Sequence, residues 1–129
     1  MTVSFHHHLR NGDAVIPMVL EVLKKMGFKN LTFAPSSIPD AHDCVADYIR
    51  CGLIGRLYTS GVRGELGKLI SSGEADIPVV IRSHGGRARA IEGGQIDIDV
   101  QNNMNWQSHY IYTIHICYQP VHYKFSAYN

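Results

Sequence analysis

Short runs rich in β-branched and apolar residues, TVSF, LTFA, LIGRLYT and IPVVIRS, recur along the chain, and amphipathic stretches of helical period lie between them. This alternation constrains the fold more than any other feature. A strand that returns parallel to its predecessor needs a crossover of a dozen or more residues, usually a helix, and the sheet must then be covered by those helices. AVIPMVLEVLKKM reads as the first helix, with Asp13 as candidate N-cap, Pro17 in its first turns, Lys24 and Lys25 at its C-terminal end, and Gly27 as its stop. AHDCVADYIRC reads as a second helix stopped by Gly52, and VRGELGKLISS as a third, weakened by its glycines. QIDIDV supplies a further strand. The pattern predicts one α/β domain, an open parallel sheet with helices on both faces, within 129 residues.

Such a sheet says where a ligand belongs: outside the carboxyl ends of the strands, in the loops leading into helices. Those loops are HHHLRNGD, PSSIPD, TSGVRG and SHGGRARA, all carrying Gly, Ser, His or Asn, and three carrying arginine. Exposed amides at glycines and helix N-termini bind phosphate or carboxylate, and arginine adds a bidentate, always-charged clamp. Together the loops point to a site for a carboxylated or polyanionic ligand. A plainer reading stands beside it: Gly85 and Gly86 form a turn with Arg87 and Arg89 solvated, and Ser60, Gly61 and Gly64 are turn and cap residues.

Other chemistries find less support. His6 and His8 would share a face if the first strand continued, but no second closely spaced set of His, Cys or acidic residues completes a metal site, so no metal is expected. No GxSxG, P-loop or GxGxxG pattern is present. A formal net charge of +1 gives no broad footprint for nucleic acid or a membrane surface, and no apolar run is long enough to span a bilayer. MTVSFHHHLRNGD turns polar too early for a secretory leader, and the three cysteines form no CxxC pair, so a cytoplasmic chain with reduced thiols is expected.

A composition break follows residue 100. Every charged side chain except Lys124 lies before it, whereas the tail holds seven of the twelve aromatic residues. Residues 101–129 therefore read as a divergent tail. It is either an edge strand centred on HYIYTIHICY, which alternates acceptably, or unstructured sequence of the kind out-of-frame translation produces.

SFHHHLRNGD and RSHGGRARAIEGGQIDIDV resemble the N-terminal region of the citrate lyase alpha chain, the citrate CoA-transferase subunit, and the intervening sequence is similar to it in length and pattern. The resemblance covers residues 1–100 and stops at the tail. It implies a CoA-transferase-like α/β domain, of which residues 1–100 form the N-terminal part. It also implies an activity: exchange of acetyl for citryl on the thioester of an acyl carrier protein, through a mixed anhydride, ahead of cleavage to oxaloacetate and acetate. The implied partners are the beta subunit, the acyl carrier (gamma) subunit with its CoA-like prosthetic group, citrate and acetate, in an oligomer. The implied ligand contacts are His7, His8, Asn11 and Gly12 in the first loop, and Ser83, His84, Gly85, Gly86, Arg87 and Arg89 in a second; no catalytic residue is assigned. Two other functions remain open at this point, an inactive truncated fragment of that subunit and a non-catalytic anion-binding module.

Overall fold

The crossovers that the alternation requires are all present. The structure, a computed structural model, describes residues 1–6, 12, 14–104, 110–118 and 121–127, with side chains through Val100. Its strands are β1 (Thr2–His6), β2 (Leu31–Pro35), β3 (Ile54–Thr59), β4 (Val79–Ile81), β5 (Ile98–Met104), β6 (Tyr110–Tyr118) and β7 (Val121–Ala127). Its helices are α1 (Val15–Lys25), α2 (Val45–Arg50), α3 (Gly64–Ser71) and α4 (His84–Glu92), and a 3-10 turn spans Asp40–His42. One sheet runs in the order β4-β3-β2-β1-β5-β6-β7, parallel from β4 to β5.

The two faces of the sheet differ in how they are covered. Val3 and Phe5 of β1, Phe33 of β2, Leu57 of β3 and Val100 of β5 lie in one apolar cluster with Ile16, Leu20 and Leu23 of α1, Val45 and Ile49 of α2, and Leu66 and Leu69 of α3. The Phe5 and Phe33 rings meet at 5.4 Å between centroids and 56°, a tilted pairing worth about 0.5–1.5 kcal/mol beyond the area it buries. On the opposite face Ala34 packs with Ala90 and Ile96, with Tyr58 and Ile91 beside them, so among the described helices α4 covers this side. The chain steps outward from β1 to β4 through α1, α2 and α3, then returns through α4 to place β5 on the other side of β1. The reversal makes the β1/β5 boundary the switch point of the sheet, where open α/β folds bind ligands.

Local chemistry accounts for most of the helix ends. In α1 the buried positions 16, 20 and 23 form a stripe of helical period, and Lys24 and Lys25 sit at the end the helix dipole favours for cations. Gly27 and Gly52 follow α1 and α2, where the sequence signals placed the stops. The N-cap residue of α1 is Ala14, without a side-chain cap, and Asp13 lies outside the described residues. The N-terminus of α3 is capped from a distance. The Asp43 carboxylate accepts from the amides of Glu65 at 3.0 Å and Leu66 at 3.4 Å.

One expectation is corrected. The sequence around Gly85 and Gly86 reads as a loop or turn, but residues 84–92 form α4. Ser83 overcomes the poor helix propensity of the glycines: it is extended (φ −68°, ψ 164°), and its Oγ accepts from the Gly86 amide at 3.1 Å. Gly94 at φ +69° then closes the helix, with its own amide donating to Ile91 O and that of Gln95 to Ala90 O. The open parallel sheet read from the sequence is present in the five strands from β4 to β5. Beyond its five parallel strands, β6 pairs antiparallel with β5, and β7 with β6. The strand expected from QIDIDV begins at Ile98 and runs across residue 100 to Met104.

Candidate functional site

A cleft opens at the carboxyl ends of β2, β3 and β4, on the α4 side of the sheet. Its empty space, counting the open mouth, is about 290 Å³. Ala34 and Pro35 from β2 and Ala90 and Ile96 from the α4 segment give it an apolar floor. Ser36, Thr59, Ser60 and Ser83 line its polar side, and Arg82, His84 and Arg87 bring basic groups to it.

The polar side is ordered by the backbone. Ser60 donates both its amide, at 3.0 Å, and its hydroxyl to Ser36 O, which ties the ends of β2 and β3 together. The Arg82 amide donates to Thr59 O at 2.8 Å, extending the β3–β4 ladder to the rim of the cleft. The Arg82 guanidinium lies over the Tyr58 ring at 4.4 Å from its centroid, and its Nη1 donates to Gln95 Oε1 at 3.3 Å. Stacking and a neutral acceptor orient the group without cancelling its charge. Arg82 forms no salt bridge among the described residues.

The start of α4 supplies the second feature. Of the first three amides of this helix, that of Gly86 is taken by Ser83 Oγ, and those of His84 and Gly85 have no acceptor among the described residues. Neither Gly85 nor Gly86 has a positive φ. A Cβ at Gly85 would come no nearer than 3.9 Å to another heavy atom, and one at Gly86 would meet only Ser83 Oγ at 3.5 Å and Arg82 Cβ at 3.6 Å. Neither backbone conformation nor packing requires glycine here. Each glycine costs about 0.5–1 kcal/mol against alanine in a helix, so the bare turn is retained at the expense of stability.

Arg87 is engaged differently. Its Nε donates to Ser4 Oγ at 3.0 Å and its Nη2 to Asp99 Oδ1 at 2.5 Å, and Ser4 and Asp99 are both fully buried. Burial pulls the Arg87 guanidinium below its ordinary pKa, while the Asp99 carboxylate opposes that shift.

The residues expected at the site are thus distributed as follows. Ser83, His84 and Arg87 line the cleft, and Gly85 and Gly86 lie in the first turn of α4 beside it. Arg89 is exposed in the last turn of α4 and does not line the cleft. Gly12, at φ +81°, packs against the 3-10 turn. A Cβ there would stand 2.6 Å from Ala41 Cβ and 3.2 Å from His42 Nε2, so this close approach demands glycine. His7, His8 and Asn11 lie outside the described residues. Among the described residues no three His, Cys, Asp or Glu side chains converge as a metal site would require. Sequence reasoning gave no individual site role to Arg82, Tyr58, Ser36 or the buried pair Ser4 and Asp99. A carboxylate inside the apolar strand IDIDV was the available signal, because a buried charge must be paired.

The chain matches the family described as citrate lyase, alpha subunit, over residues 1–104. It is 52% identical over 100 residues to the citrate lyase alpha chain of Escherichia coli and 51% identical over 100 residues to that of Klebsiella pneumoniae. Each alignment covers 78% of this chain and 20% of the relative, so the chain spans about a fifth of the length of the curated relatives it matches. Among solved structures, the alpha subunit of citrate lyase from Streptococcus mutans, in complex with citrate, superposes with a TM-score of 0.65 at 52% identity, over 70% of this chain and 18% of that one.

Proposed function

This chain belongs to the citrate lyase alpha-subunit family, and we propose from that premise that its cleft takes part in citrate CoA-transfer, with the α4 N-terminus and Arg82 receiving a carboxylate. The overall reaction is the exchange of acetyl for citryl on the thioester of an acyl carrier protein, releasing acetate. The observation that carries this reading is the pairing of two exposed first-turn amides, at His84 and Gly85, with an arginine on the same rim that is held in place and forms no salt bridge among the described residues. Partial positive charge at a helix start and a planar cation beside it suit a carboxylate better than a neutral group. The solved Streptococcus mutans relative contains citrate, a tricarboxylate of this chemistry.

The carrier's CoA-like prosthetic group presents the acyl unit as a thioester when bound. The apolar floor of Ala34, Pro35, Ala90 and Ile96 fits such an acyl end, and the polar side of Ser36 and Ser60 fits its carbonyl environment. The chain's own contribution is binding and orientation. Arg82 and the α4 amides neutralise carboxylate charge, and the packed floor keeps water from the acyl group. The beta subunit, the acyl carrier subunit and an oligomeric cytoplasmic assembly belong to this proposal. No helix among the described residues is long and apolar enough to cross a membrane.

Calorimetric titration of the chain with citrate, and turnover of acetylated carrier with citrate, test the reading. Citrate binding that falls about tenfold or more in Arg82→Ala is expected, since a hydrogen bond to a charged group contributes about 1.5–3 kcal/mol. Binding without exchange would assign the chain an anion-binding role alone. Absence of citrate binding by the unaltered chain would remove the proposal.

A further inference from the structure

Three polar groups meet behind the cleft, where packing alone would place apolar ones. Ser4 of β1 is 0% exposed and Asp99 of β5 is 1% exposed. The two are register partners across the switch point, so their side chains stand on one face of the sheet. That face is the one α4 covers, and from α4 the Arg87 guanidinium bonds both of them.

We infer that Arg87 is a positioning residue whose guanidinium, held by Ser4 and Asp99, ties the first turns of α4 to the β1/β5 switch point and so sets where the His84 and Gly85 amides stand over the cleft. The inference rests on the carboxylate-binding reading of that cleft and assigns Arg87 a role other than contact with the ligand. Apolar packing anchors α4 weakly: Ala90 is its one buried residue, whereas α1 buries Ile16, Leu20 and Leu23. Its first turn carries two glycines, and the one side chain before Arg87, that of exposed His84, faces the cleft and is not buried against the sheet. The polar tie supplies the missing anchor. It needs the arginine fork, because donors on two different nitrogens reach acceptors on two different strands, and a lysine ammonium offers only one point charge. Turning the guanidinium to a ligand would break its buried bond to the Asp99 carboxylate, which is costlier than breaking an exposed one.

The test uses the full 129-residue chain, with citrate as the probe and backbone amide exchange as the second readout. Asp99→Asn removes the charge at nearly constant shape, Arg87→Lys keeps the charge and removes the fork, and Ser4→Ala removes one bond. Positioning predicts weaker citrate binding in all three, by about tenfold in the first two and a few-fold in Ser4→Ala. The double variant Arg87→Lys/Asp99→Asn is expected to bind no worse than the weaker single, since both act through one tie. Exchange in α4 is expected to accelerate by comparable factors while α1 and α3 keep their protection. A direct ligand clamp gives the opposite sign for Asp99→Asn, whose released guanidinium would bind citrate as tightly or more tightly, and that result overturns the inference. Unchanged α4 exchange in Asp99→Asn overturns it as well. If Asp99→Asn loses protection throughout, Ser4→Ala decides by the same two readouts. If the unaltered chain does not bind citrate, the carboxylate-site reading fails by itself, and α4 exchange still decides whether the tie holds the helix.

Discussion

Replacing Gly85 or Gly86 with alanine separates stability from binding. Both positions have helical backbone, and an added Cβ meets nothing closer than 3.5 Å, so alanine fits without strain. Removing the glycine's excess unfolded-state freedom and restoring helix propensity stabilises the fold by about 0.5–1 kcal/mol at each site. For a chain of this size that raises Tm by roughly 2–5 °C per substitution. The same methyl group occupies the open approach to the amides at the start of α4. If a carboxylate hydrogen-bonds there, loss of one charge-assisted bond costs about 1.5–3 kcal/mol, or roughly 10–150-fold in citrate affinity. The two effects have opposite signs, which excludes general damage to the fold as their common cause. Differential scanning calorimetry and citrate titration on the same preparations measure both. A lower Tm would show that these positions are strained after all. A higher Tm with undiminished citrate affinity would show that the bare turn does not serve the ligand.

Two further outcomes follow from particular contacts. Asp43→Ala removes the carboxylate that accepts from the Glu65 and Leu66 amides at the start of α3, and a destabilisation of about 0.5–2 kcal/mol is expected in denaturant unfolding; no change in midpoint would show that water replaces this cap at no cost. Burial, followed by the nearby Asp47 and Asp43 carboxylates, pushes the Cys44 thiol above its ordinary pKa, so less of it is thiolate at a given alkaline pH. Its alkylation profile should lie at higher pH than that of an unstructured cysteine peptide, read by peptide mass spectrometry, and a coincident or lower profile would contradict the burial argument.

The sequence by itself determined the architecture, because periodicity is a local property. Apolar positions 16, 20 and 23 can share a face only in a helix, and TVSF and LTFA, separated by that helix, can pair only through a crossover. The family was legible for a similar reason, since its motifs are contiguous strings. The helix over HGGRARAIE was not legible, because its weak propensity is overcome by one cap, Ser83, and by a tie to strands far away in sequence. The cleft was partly legible: the loop ends that build it were named, but whether Ser60 or Arg82 faced a cleft depended on sheet order and on the face that α4 covers. The roles of the arginines were decided only by the tertiary structure. Arg82, Arg87 and Arg89 look alike in a string of eight residues, and a charged side chain takes its function from what lies within hydrogen-bonding reach. Arg82 finds an aromatic face and a neutral amide, Arg87 finds a buried carboxylate, and Arg89 finds solvent. The partner that makes the difference, Asp99, reaches α4 only because the chain reverses direction after β4 and sets β5 beside β1.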